Sequence, residues 1–375
     1  MNEKLIEVAK VFFKLGCFAF GGPAAHIAMM EDEIIEKRQW MTRDYFLDLI
    51  GTTNLIPGPN STEMTMHCGY ERAGKPGLFV AGIAFIFPAT IITALLAYLY
   101  VKYGQLPEIE PFIYGIKPAV LAIIAGAILK LGKKAVKGIE LIVLGIIVLI
   151  VSLLGVNEVL ALLSAGVLGM LYFYLKSKTA SSFNSISPFL VLLGFNTAVA
   201  KISTLKLFLI FLKVGAILYG SGYVLFAYLD AELVTRGLLT RAELIDAIAI
   251  GQFTPGPVLS TSTFIGYQLS GFTGALVATA GIFLPSFLFV LILNPFIPRM
   301  RNSKILRYFL DSVNVAAVSV MLAVLIVMGL ETLMEWQSIL IALIAVILTF
   351  KTKVSTIWTI VIGAALGFFL LTFTK

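Results

Sequence analysis

LIPGPNSTEM (55–64) and FTPGPVLSTST (253–263) each carry a Pro-Gly-Pro inside an apolar run. Proline lacks the amide donor and clashes with the preceding turn, so two prolines around a glycine break any helix that reaches them. One such break reads as a packing kink. A symmetric pair asks for more, and the flanking residues show that the two are a pair. Thr42-Arg43, Asp48 and Pro57-Gly58-Pro59 recur at one constant offset as Thr240-Arg241, Asp246 and Pro255-Gly256-Pro257. Upstream, Phe13-Lys14, Gly16 and Phe20-Gly21-Gly22 recur as Leu212-Lys213, Gly215 and Tyr219-Gly220-Ser221; downstream, Gly77 and Pro88 recur as Gly274 and Pro285. The chain is an internal duplication, with repeats over 1–175 and 204–375. The Ser-rich connector between them, 176–203, has an apolar stretch too short to span a bilayer.

Of the 375 residues, 59% are hydrophobic and 13% charged, and the mean hydropathy is +0.97. A soluble domain is about 45–50% apolar and about 25% charged, so this chain cannot cover its apolar surface and belongs in lipid. That excludes a soluble enzyme, a nucleic-acid reader and a disordered scaffold. The net charge of +7, from 28 Lys+Arg against 21 Asp+Glu, lies in short breaks between apolar runs, as in cytoplasmic membrane loops. Cys17 and Cys68 fall inside apolar segments and form no disulfide framework. The first segment lacks the parts of a signal peptide and is expected to be retained.

Breaks at charge, Pro and Gly clusters divide the first repeat into stretches near 5–30, 42–70, 77–102, 111–131, 139–156 and 157–175. The second divides near 204–229, 240–269, 274–297, 307–330, 337–350 and 354–373. After the fourth stretch the first repeat has Lys130, Lys133, Lys134 and Lys137, whereas its mirror has Glu331 and Glu335; after the third, Glu108 and Glu110 face Arg299, Arg301, Lys304 and Arg307. Glu158 against Lys351 and Lys353 continues the reversal. Equivalent loops therefore face opposite sides, the mark of an inverted-topology repeat. Inversion requires an odd number of crossings per repeat, so the PGP stretch is expected to be a re-entrant hairpin beside about five spanning helices. The basic loops are cytoplasmic, although Lys4, Lys10 and Lys14 fit this assignment less well.

Broken helices at membrane depth must be buried in protein or line a cavity. With Pro59 at the first helical position, the amides of Asn60, Ser61 and Thr62 and the hydroxyls of Ser61 and Thr62 form an anion cradle at a half-helix N-terminus. Val258, Leu259, Ser260 and Thr261 form its mirror, and Asn54 and Thr254 precede the two PGP motifs. A second break, at Gly21, Gly22 and Pro23, is mirrored by Gly220, Ser221 and Gly222; glycines there also suit close helix packing. Lys14, Lys213, Arg43 and Arg241 are candidate counter-charges, with interfacial snorkelling the alternative. Asp48 and Asp246 approach the hairpins as a symmetric pair. His26, Glu63 and His67 have no mirror and are candidates for proton coupling, or else satisfied interfacial groups. Glu-x-x-x-His lacks a third ligand, so no metal is expected, and no cofactor or nucleotide motif is present.

F-K-L-G with FGGP (13–23), Gln39-Trp40 before Thr42-Arg43, LIPGPNST (55–62) and the second PGP (255–257) together resemble the chromate ion transporter family in its two-domain long form, over nearly the whole chain. The resemblance implies a secondary transporter, not an enzyme, that moves chromate across the cytoplasmic membrane, generally as efflux conferring resistance, with sulfate as a substrate analogue. A passive anion channel and a transporter of sulfate or another oxyanion are the alternatives on the same scaffold. The expected partners are a small oxyanion and the lipid bilayer, without nucleic acid, and a homodimer is one assembly the reading allows. The missing proline at 220–222 departs from the family pattern.

Overall fold

The computed structural model describes residues 2–20, 22–53, 56–104, 106–178, 203–219, 222–294, 303–352 and 354–373. Gly21, Asn54, Gly220, Ser221, Arg299, Arg301 and nearly all of the connector lie outside the described residues. The first repeat folds as α1 (Asn2–Phe18), α2 (Pro23–Glu31), α3 (Arg43–Thr53), α4 (Asn60–Tyr103), α5 (Glu110–Ala135), α6 (Ile139–Leu153) and α7 (Glu158–Lys178). The second folds as α8 (Thr204–Ile217), α9 (Leu225–Leu229), α10 (Arg241–Phe253), α11 (Thr261–Leu293), α12 (Lys304–Thr332), α13 (Trp336–Lys351) and α14 (Thr356–Phe373). Among the described residues, six helices are long and apolar enough to cross a membrane, in mirror pairs: α4 and α11, α5 and α12, α7 and α14. The shorter apolar helices α6 and α13 form a fourth pair.

α4 and α11 each fold back on themselves. Gly74 (φ +64) and Gly271 (φ +61) turn the chain in the left-handed region, which costs glycine nothing. A Cβ on Gly69 would meet Gly77, eight residues on, and the hydroxyls of Thr263 and Thr279 lie 2.7 Å apart across the second turn. In a straight helix these pairs would be about 12 and 24 Å apart. The short first arm of each pairs instead with the helix before its PGP. Tyr45 on α3 donates to Glu71 at 2.9 Å, and Gln268 donates to Glu243 on α10 at 2.8 Å. Each PGP is thus the tip of a helix–loop–helix hairpin whose ends lie together.

The first stretch departs from its reading as a span. Lys14 bonds Glu33 at 3.0 Å, Trp40 bonds Glu7 at 3.1 Å, and His26 bonds the Ala19 carbonyl at 3.1 Å, so α2 returns antiparallel along α1 from a tip at Gly22–Pro23. Its mirror folds likewise, with Lys213 on Glu232 at 2.6 Å and Tyr228 on the Ile217 carbonyl at 2.9 Å. A Pro and a left-handed Gly22 (φ +78) turn the chain where a packing glycine would have let it continue. Besides its folded-back segments, each repeat thus has, among the described residues, three helices long and apolar enough to span and one shorter apolar helix. The N-terminus then lies on the face of Lys130–Lys137, because the second arm of α4 leaves that face and α5 returns to it. Lys4, Lys10 and Lys14 now agree with the basic loops.

The repeats are inverted. Lys137, at the end of α5, bonds Asp311 near the start of α12 at 2.6 Å, and a Cβ on Gly132 would touch Val318; these mirror helices run antiparallel. The second arms of α4 and α11 also meet, with Gly82 against Phe287. The repeats also interlock, α5 packing on α13 and α14 of the other repeat while α12 packs on α6 and α7. Gly115 meets Gly363 and Gly367 without side chains between them, so the backbones approach as small-residue contacts in lipid require.

Candidate functional site

The four hairpin tips meet between the repeats, and the bonds that join them cross from one repeat to the other. Gly58 N–H donates to the Leu218 carbonyl at 2.6 Å, and Gly256 N–H donates to the Ala19 carbonyl at 2.9 Å. Each PGP is thereby tied to the glycine break of the opposite repeat. Within the first repeat His26 links its own tip to the next: Nε2 contacts the Ala19 carbonyl and Nδ1 the Ser61 hydroxyl, both at 3.1 Å. A carbonyl only accepts, so Nε2 carries the proton and Nδ1 of the neutral ring accepts from Ser61.

Neither PGP half-helix has a side-chain cap. The Thr62 amide bonds the Pro59 carbonyl at 2.8 Å and that of Ser260 bonds Pro257 at 2.9 Å, so these two amides do not join a cradle as expected. Among the hydroxyls, Ser61 serves His26, Thr261 donates to the Val258 carbonyl at 2.8 Å, and Thr254 donates to Ile250 at 2.7 Å. Thr62 and Ser260 are fully buried with no partner. They are mirror residues, one turn into each half-helix, and such a pair of unsatisfied hydroxyls is an exception that needs a ligand or a movement to explain it. Pro57, Gly58, Pro59, Pro255, Gly256 and Pro257 are all buried around them.

A cavity of about 810 Å³ reaches this region from one face. Pro23, Asn60 and Gly222 line its inner end; Ile50 and Gly51 of α3 form one wall and α5 and α12 the other. Lys130, Lys134, Lys137 and Arg307 stand where α5 ends and α12 begins, with Asp311 the one carboxylate in the lining. The cavity is therefore a basic funnel leading to uncapped helix N-termini, α2 at Pro23 and α4 at Asn60, where the helix dipole favours an anion. On the opposite face α10 packs onto α5 and α14. Asp246 there takes a bond from Tyr100 at 2.6 Å and a contact from Lys117 at 3.6 Å, and Arg241 pairs with Glu331.

The four counter-charge candidates are not brought to the breaks. Lys14 and Lys213 pair with Glu33 and Glu232, Arg43 with Glu31 and Glu36, and Arg241 with Asp230 and Glu331. Glu33 and Glu232 are themselves mirror residues, a signal that was present in the sequence. The cations that do line the funnel had served only to mark loop sidedness. His67 Nδ1 meets Asn294 Oδ1 at 3.1 Å while its Nε2 has no partner among the described residues, and Glu63 is wholly buried beside the Ser286 hydroxyl.

The sequence profile of the chromate transporter family matches residues 6–170 and again 205–368. The chain is 31% identical over 369 residues to the chromate transport protein of Cupriavidus metallidurans, covering 96% of this chain and 92% of that protein. It is 30% identical over 374 residues to the probable chromate transport protein of Synechococcus elongatus, covering 97% and 95%. With the chromate transport protein of Pseudomonas aeruginosa it shares 27% over 377 residues, covering 95% and 90%. No solved structure matches. A multi-pass helical protein that carries the family's module twice, once per repeat and in opposite senses, belongs to the chromate transporter family.

Proposed function

We propose that this protein moves chromate, and tetrahedral dianions of the same shape such as sulfate, across the cell membrane by alternating access. The observation that carries the reading is the basic funnel ending on uncapped helix N-termini at Pro23 and Asn60. A dianion leaves water only if several fixed donors replace its hydration, and half-helix ends supply donors without a full charge of their own. Thr62 and Ser260 are the hydroxyls positioned to add to them after a small rearrangement of the tips.

The asymmetry of an otherwise symmetric molecule supports alternation over a permanent pore. On the basic face α3 stands off α12 and the funnel fills the gap. On the other face the mirror helix α10 is closed onto α5 through Asp246, Lys117 and Tyr100. Exchanging the two arrangements would expose the same tips to the opposite side. The open face carries the Lys and Arg residues and is the cytoplasmic one. An interior-negative potential drives each negative charge outward by about 2.3 kcal/mol per 100 mV, which favours efflux of a dianion. Chromate and sulfate flux in proteoliposomes, at set voltage and set pH difference, tests the reading. Saturable flux of both anions that ceases in the Asn60→Pro protein is expected; unsaturable current, or no flux of either, would overturn it.

A further inference from the structure

Glu63 breaks the symmetry of the tips. Its mirror is Thr261, which is satisfied by the Val258 carbonyl at 2.8 Å. The carboxyl lies against Gly58 together with the hydroxyl of Ser286 from α11, and a Cβ on Gly58 would run into both. At the mirror glycine, Gly256, the corresponding neighbour is Ala89. The first repeat thus has an acid and a hydroxyl where the second has a self-satisfied threonine and a methyl group, so packing at the tip does not require the polar pair. Glu63 and Ser286 are each fully buried, and among the described residues the Ser286 hydroxyl is the group placed to donate to the carboxyl.

Ionisable surroundings are sparse. Tyr219, from the break between α8 and α9, faces the carboxyl, and α11 contributes Ser286. No charged group of α1, α2, α3 or the second arm of α4 acts on it, and no ion pair involves it among the described residues. His26 is held by Ala19 and Ser61, and His67 by Asn294. The carboxyl is thus enclosed with one hydroxyl beside it and no cation among the described residues. Asn60, at the end of the funnel, is three residues away, about 4.5 Å along the helix axis. A negative charge at Glu63 would repel a dianion at that end, and the neutral acid would not.

We propose that Glu63, seated against Ser286, carries one proton together with the oxyanion. The proton is taken from water on the side where the tip is wetted, held as the carboxylic acid while the anion is bound, and returned to water on the other side. Linkage is reciprocal: the proton raises anion affinity by the factor by which the anion raises proton affinity. One proton with one dianion leaves a net single negative charge in transit, so an interior-negative potential still drives it outward. This inference rests on the oxyanion reading above.

The test is sulfate binding to the full chain in detergent, by calorimetry in two buffers of different ionisation heat, which counts protons taken up per anion. About one is expected for the unaltered protein above the pH at which free Glu63 ionises in the wetted state, and none for Glu63→Gln. In voltage-clamped proteoliposomes, one unit of pH difference should then change steady-state sulfate accumulation by about tenfold, and Glu63→Gln should abolish that dependence. Should Glu63→Gln fail to fold, Ser286→Ala serves in its place: it should move the pH midpoint of proton uptake, and an unmoved midpoint counts against the proposal. Proton uptake persisting in Glu63→Gln, or sulfate binding to the unaltered protein without proton uptake, overturns this inference alone. No binding of sulfate or chromate by the unaltered protein overturns the oxyanion reading and this inference with it.

Discussion

Gly58 is the residue on which the site depends most narrowly. It has φ +142, its amide crosses to Leu218, and it leaves room for Glu63 and Ser286. Gly58→Ala would require a left-handed alanine and would displace a carboxyl and a hydroxyl at once. A loss of about 1–3 kcal/mol is expected, read as a lower unfolding midpoint in detergent, with flux reduced at least as strongly. Gly51, on the α3 wall of the funnel, has open space for a Cβ, so Gly51→Ala should unfold with the unaltered protein; equal melting of the two variants would remove the packing argument. His26 is a second narrow point. His26→Ala removes both of its bonds and leaves a buried Ser61 hydroxyl without its acceptor, for which about 1–3 kcal/mol is expected in the same assay.

At the scale of elements, the funnel exists because α5 and α12 bring their basic ends to one mouth. Lys137 is already balanced by Asp311, so Lys130, Lys134 and Arg307 supply the attraction. Replacing Lys130 and Arg307 with Gln should raise the anion concentration for half-maximal flux severalfold at low salt and flatten its dependence on ionic strength. The same double change should leave maximal flux nearly intact. A fall in maximal flux with unchanged half-saturation would place these residues in the moving parts rather than the funnel. Lys14 and Lys213, at the hairpins, are expected to act differently. Each holds one arm to the other through Glu33 or Glu232, so their loss should register in stability.

For the whole molecule the decisive property is inversion, and it makes a topological demand. The folded-back segments return to the face they leave, and three long helices with one shorter apolar helix per repeat make an even number. α7 ends beside α6 and Lys137, with Lys176 on Glu140 at 2.5 Å, whereas α8 enters from the face where Arg241 meets Glu331. Lys178 and Ser203 therefore lie on opposite faces. Single cysteines at 176 and 206 should be labelled from opposite sides of the membrane, and those at 133 and 304 from the same side; labelling of 176 and 206 from one side would contradict the inversion.

Much of this was legible in the residues. Membrane residence, duplication and inversion follow from apolar content, recurring offsets and loop charge, all properties of local sequence. The fold-back at FGGP was not legible, because a glycine pair packs a straight helix as readily as it turns one; cross-chain bonds such as Lys14 to Glu33 decide between them. Nor could the sequence say which cations line the cavity. Lys14 and Arg43 meet carboxylates across their own hairpins, while Lys130 and Arg307, far apart in the chain, come together where two antiparallel helices end. Local chemistry determined what each segment must be. Only the packing of two inverted copies, which sets long-range distances, determined which charges are neutralised, which hydroxyls are left unsatisfied and which face is open.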